Sequence, residues 1–243
     1  MTPPEADTPA RAAEFTRLLR LDQRREAAVT QIAVWVADGI VSSRLAPGQD
    51  LNSVDLAARF NTSRTPVREA LMLLESEGLV DVQARKRPRV ASFTADQVRE
   101  VYFLRAHLLA LVGELAAQRI TPEQASALQD LLAIMREHVA AHDTDAYFWT
   151  HVDLQRTFIE IAGNATLAMV LDTLSLRMLV FRHMSLQDDD RLRASLQAQE
   201  AIVAAMSEKD SELTSLLLVR NTNSALEAIL RVLEKRTTDK ASS

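Results

Sequence analysis

The chain contains no cysteine. Disulfides, thiolate metal sites and cysteine nucleophiles are therefore excluded, and the composition fits a reducing compartment. Glycine and proline are scarce, with 5 and 7 among 243 residues. Leucine and alanine dominate instead, and both favour helix. No apolar run reaches the length of about 18 residues that spans a membrane. The first twenty residues lack the apolar core of a secretory leader. The expectation is a cytoplasmic protein with no membrane partner. No Gly-rich phosphate loop, internal repeat or cluster at metal-ligand spacing is present.

An excess of positive charge is also missing, since the formal net charge is -5. The average conceals an asymmetry. Between Arg20 and Val90 stand 11 Lys/Arg and 9 Asp/Glu, so that segment carries +2 and the remainder -7. Arg85, Lys86, Arg87 and Arg89 fall within five positions. A basic head on an acidic body is the distribution of a nucleic-acid binder.

Three prolines open the chain among small and polar residues, and residues 1–19 read as a flexible tail. From Arg24 to Arg44, Val29, Ile32, Val36, Ile40 and Val41 recur at helical spacing until Ala46-Pro47-Gly48. Asn52 caps a short helix with Asp55 in its first turn. Asn61-Thr62-Ser63 makes a tight turn before a further helix, in whose first turn Pro66 is tolerated. Two strand-like stretches follow, Leu79–Gln83 and Arg89–Phe93, joined by the basic run. Beyond Thr94 the pattern predicts helices near 95–118, 122–142, 144–162, 165–183, 189–207 and 210–235, with breaks at Gly163-Asn164 and Asp188–Asp190. The fold class is mainly α: an N-terminal winged helix-turn-helix over 20–93 and an all-helical bundle over 95–236.

Helix, tight turn, helix and two short strands is the order of a winged helix-turn-helix, in which the second helix enters the major groove. That helix begins at Ser63-Arg64-Thr65-Pro66-Val67-Arg68. Arg64 and Arg68 can grip a guanine edge or a phosphate at two points. Ser63, Thr65 and the free N–H groups of the helix start suit a phosphate. Arg85, Lys86, Arg87 and Arg89 would form the wing. Single arginines at 44 and 59 carry no comparable pattern. A merely solvated arginine face does not account for the capped turn, Thr65-Pro66 and the wing together.

These segments resemble a known family. Leu45–Leu51 (LAPGQDL), Asp55–Phe60 (DLAARF), Ser63–Leu71 (SRTPVREAL) and Leu74–Val80 (LESEGLV) are similar to the DNA-binding domain of GntR-family regulators over about 50 contiguous positions. One departure stands out: the family's wing usually has glycine where this chain has Arg87, followed by Pro88. The all-helical remainder is similar to the effector domain of the FadR subfamily, called FCD. The resemblance rests on Val101–Arg105, on Ala162-Gly163-Asn164, and on Glu200, Ile202 and Met206 before Asp210. It implies a bundle that forms a homodimer and holds a small-molecule effector in its core.

Many FCD domains bind a metal through Asp and His four apart, then two further His. The matching positions here are His151, Gln155, Gln199 and Asn221. One imidazole and three neutral amides are poor ligands for zinc-like ions, so the resemblance is to a polar cavity with no metal or other cofactor. Arg105 matches a family arginine near the ligand, and its other reading is a surface ion pair. As a ligand residue it implies a carboxylate effector. His107, His138, His142 and His183 read as ordinary helix residues. Phe148, Trp149, Phe158 and Met169 read as core.

The leading expectation is therefore a regulator that binds double-stranded operator DNA under the control of an effector. The alternative is a DNA-binding protein whose helical domain only dimerises, which would leave positions 151, 155, 199 and 221 apolar. An enzyme is disfavoured, because the conceivable pair His151 and Asp153 lie two apart on a helix and face different ways.

Overall fold

The computed structural model describes residues 9–21, 26–186 and 189–241. Residues 1–8 of the expected tail, Arg24 and Asp188 lie outside them. Close packing divides the chain into two units: Met1–Phe93 with Asp172–Val180, and Thr94–Leu171 with Phe181–Ser243.

The first unit begins with helix α1, Pro9–Leu18. This corrects the expectation of a tail where the two overlap, over Pro9–Leu18. Pro9 occupies the first helical position, where its missing N–H costs nothing, and Phe15, Leu18 and Leu19 are buried. α1 packs on α2, Ala27–Val41, whose apolar residues are buried on nearly every side. In α3, Ser53–Arg59, the Asn52 side chain accepts a hydrogen bond from the Val54 N–H at 3.0 Å. α4, Arg64–Ser76, starts at Ser63, whose hydroxyl accepts from the Thr65 N–H at 3.4 Å. It buries Val67, Ala70, Leu71 and Leu74 and leaves its opposite face in water. Gly78, at φ +74, turns the chain out of it. Strands β1, Val80–Asp81, and β2, Arg89–Val90, pair antiparallel with Val80 opposite Val90 and Asp81 opposite Arg89. The strands are shorter than the sequence predicts, yet they close the winged motif.

The second unit is helical among its described residues. α5, Ala95–Arg119, and α6, Pro122–Ala140, each begin with a reciprocal capping box, Thr94 with Gln97 and Thr121 with Gln124. α7, Thr144–Ala162, ends at Gly163 in the left-handed region, and Asn164 caps α8, Ala165–Ser185. α9, Asp189–Ser207, and α10, Ser211–Ala241, complete the bundle. α10 runs along α5, which also packs on α7; α6 packs on α7 and α9. Phe148 and Phe158 enter the core as expected, whereas Met169 is 58% exposed.

Candidate functional site

In the winged unit, α4 and the wing face each other across a groove of about 770 Å³. Arg64 and Arg68 line it from α4, and Arg85, Lys86 and Arg87 from the wing. All five side chains are exposed, and none makes an ion pair among the described residues. The cations converge because the capped helix and the strand pair leave the polar side of α4 uncovered. Three predicted residues stand differently. Ser63 uses its hydroxyl to cap the helix, and neither it nor exposed Thr65 lines the groove. Arg89 lies in β2 and pairs with Asp50 at 2.6 Å, outside the groove.

The wing turn has a conformation that the sequence does not announce. The Lys86 N–H donates to the Gln83 carbonyl at 3.1 Å, and Arg85 takes φ +63. The left-handed residue of this turn is Arg85, two positions before the family's glycine position at Arg87. Arg59 is placed by packing: its guanidinium stacks 4.2 Å from the Trp35 ring centroid.

In the helical unit, the five predicted effector residues are all buried: Arg105, His151, Gln155, Gln199 and Asn221. Arg105 is 6% exposed, so its reading as a surface ion pair is set aside. Its Nη2 donates to Gln155 Oε1 at 2.7 Å. The sequence reading missed a second cation, Arg182 of α8, which is equally buried and donates to the same oxygen. The other end of the amide, Gln155 Nε2, lies 3.4 Å from His151 Nε2 and donates to it. That places the imidazole proton on Nδ1, which is buried with no protein partner. Both amide atoms of Gln199, Asn221 Oδ1 and Arg191 Nε are buried and unpartnered as well.

The charge on this cluster is one-sided. Burial lowers the Arg105 guanidinium from its ordinary value. Burial and the neighbouring Arg105 charge bring Arg182 down to about 9. Arg191 is lowered too, chiefly by burial. Burial, then the charges of Arg182, Arg191 and Arg105, push His151 well below 6.5, so it is neutral. Tyr102 is pushed up to about 12 by burial and stays a phenol. Among the described residues no carboxylate pairs with Arg105 or Arg182. No group of three or more acidic, His or Cys side chains at metal-binding spacing occurs among them either. The cluster thus joins cations and neutral polar groups, with no carboxylate paired to Arg105 or Arg182 among the described residues. Asp153, the conceivable partner of His151, pairs instead with Arg156 at 2.8 Å.

A winged helix-turn-helix on one chain with an all-helical domain carrying a buried polar cluster defines a class, the DNA-binding transcription regulators. Comparison with known proteins gives the family. Residues 29–90 match the gntR family of bacterial regulatory proteins, and residues 100–224 match the FCD domain. The chain belongs to the GntR family and carries an FCD domain. It is 26% identical over 198 residues to the HTH-type transcriptional regulator YdhC of Bacillus subtilis, covering 81% of this chain and 88% of that protein. It is 24% identical over 193 residues to the HTH-type transcriptional repressor RspR of Escherichia coli, covering 79% and 85%. Among solved structures, E. coli McbR/YncC shares the fold with a TM-score of 0.70 at 21% identity, covering 86% of this chain and all of that one. These relatives are regulators rather than enzymes.

Proposed function

We propose that this regulator binds a two-fold symmetric double-stranded operator as a homodimer, and that a small organic carboxylate held in the FCD domain modulates the binding. One recognition helix reads only a few base pairs, so affinity and specificity call for two half-sites. Arg64 and Arg68 contact bases or phosphates in the major groove, with Ser63 and Thr65 at the helix start. Arg85, Lys86 and Arg87 hold the flanking backbone, with Arg89 a further phosphate contact where its pairing with Asp50 yields. The observation that carries the effector half is the convergence of Arg105 and Arg182 on Gln155; Gln199 and Asn221 of the same unit are also buried, with amide atoms unpartnered. A domain that only dimerised would gain nothing from burying those groups, because an unpaired buried polar atom costs about 1–3 kcal/mol.

Sequencing the genomic DNA captured by the purified protein tests the reading. The expected result is enrichment of a palindromic site near a few operons. Carboxylates handled by the products of those operons should change the protein's affinity for that site. Uniform capture of DNA without a shared site, or a monomer bound to a single half-site, would count against it.

A further inference from the structure

The metal-binding option of the FCD fold meets a specific obstacle here. Gln155, one of the four ligand positions, already has its oxygen occupied by two guanidiniums. A divalent ion at that oxygen would sit against Arg105 and Arg182 with no carboxylate to offset three cationic groups. The remaining donors, His151, Gln199 and Asn221, are all neutral. The residues present do not fit a metal.

What they fit is its counterpart. We propose that Arg182, together with Arg105, replaces the metal as the fixed positive charge of the site, and that the site selects a hydroxylated organic dianion. The proposal rests on the effector reading above and sharpens it. A buried cation without a counter-charge is destabilising, and a single neutral oxygen offsets little of that for two. Each guanidinium makes its hydrogen bond to that one oxygen, and Arg191, whose charge also acts on His151, adds a buried unpartnered Nε. Glu200, which acts on Tyr147, pairs with Arg136 at 2.6 Å. The compensating negative charge must therefore come with the ligand. A monoanion would leave one buried guanidinium uncompensated; a dianion offsets both. Forked guanidiniums match the paired oxygens of carboxylate or phosphate. The hydroxyl requirement comes from the acceptors. Gln199 Oε1 and Asn221 Oδ1, buried and unpartnered in the same unit, need donors, which a dicarboxylate or a phosphate monoester dianion lacks and a hydroxyl supplies. His151 Nδ1–H and Gln199 Nε2 contribute donors to the anionic end.

The test uses the full-length protein, melting curves and calorimetry. The probes are malate, succinate, glycerol 3-phosphate, 3-hydroxybutyrate and zinc alone. The expected result is that malate or glycerol 3-phosphate raises the melting temperature and binds at least about tenfold more tightly than 3-hydroxybutyrate; which of the two wins separates the dicarboxylate source from the phosphate ester. Succinate, a dianion without the hydroxyl, binding as tightly as malate would overturn the hydroxyl requirement. Arg182→Gln is expected to raise the melting temperature of the unliganded protein, since it removes an uncompensated buried charge, and to abolish the preference for the dianion. Arg182→Lys keeps the charge without the fork and should retain part of that preference. Equal binding of mono- and dianions, a destabilised Arg182→Gln protein that keeps its selectivity, or tight zinc lost on His151→Ala would overturn the proposal. If 3-hydroxybutyrate or neutral metabolites bind and change operator affinity while the dianions fail, this proposal falls and the effector reading stands. If a broad metabolite panel binds nowhere, the effector reading itself falls.

Discussion

Arg105 on α5 donates to Gln155 on α7 across 2.7 Å, and among the described residues no carboxylate pairs with that guanidinium. The geometry invites one substitution. Gln155→Glu places a carboxylate at the meeting point of Arg105 and Arg182, and hydrogen bonds to a charged group are worth about 1.5–3 kcal/mol. The unliganded variant should be more stable than wild type by an amount in that range, and it should lose its response to anions because the internal carboxylate occupies their place. Denaturant titration with and without ligand measures both. A less stable variant with an unchanged ligand response would sink this account of the cluster.

Arg64→Ala and Arg68→Ala should each weaken operator binding while leaving the fold intact, since both side chains are exposed and unpaired in the groove. A lost base contact costs about 1–3 kcal/mol and relaxes preference at one position. Binding curves on operators mutated one base pair at a time would show this. Wild-type affinity and preference in both variants would remove α4 from the interface.

The wing is expected to act differently. Loss of one phosphate contact lowers the salt dependence, the slope of log K against log salt, by about 1 and weakens all sequences alike. Lys86→Ala and Arg87→Ala should each show that pattern. Arg89→Ala should show less, since Arg89 is engaged with Asp50. A change in sequence preference without a change in slope would assign the wing to base reading instead.

His151 makes stability depend on pH in one direction. The unfolded chain takes up a proton on this imidazole as pH falls through 6.5, while the folded chain, with Arg182, Arg191 and Arg105 around the ring, refuses it. Stability is therefore lost as pH falls below 6.5, by up to about 1.4 kcal/mol per unit, and is insensitive to this group above it. The difference in unfolding free energy between wild type and His151→Asn, followed from about pH 7.5 to about pH 5, should slope this way. A flat difference would mean that the folded ring accepts the proton.

The helices were legible because capping signals and apolar spacing agree, as at Thr94 with Gln97, Thr121-Pro122 and Gly163-Asn164. The basic groove was legible from charge clustering alone. α1 was hidden by its prolines, although Pro9 opens the helix and Phe15 anchors it. Arg182 was hidden for a different reason. It stands in Met178-Leu179-Val180-Phe181-Arg182-His183-Met184, all of them buried. A helix apolar around its circumference offers a cation no wet face. An arginine in such a run is thus a signal in itself, and charge patterning read only for surface pairs passes over it. The turn at Arg85 could not be read because nothing in residue identity distinguishes it from Arg87.

The stacking of Arg59 on Trp35 has a practical consequence. The chain has two tryptophans. Trp35 lies in the winged unit beneath the Arg59 guanidinium and edge-on to Phe60; Trp149 lies in the helical unit edge-on to Phe148. Each unit thus carries its own fluorophore in its own electrostatic surroundings. Replacing either indole with phenylalanine leaves emission from one unit, so the melting of the winged unit and of the helical unit can be timed independently in one optical experiment.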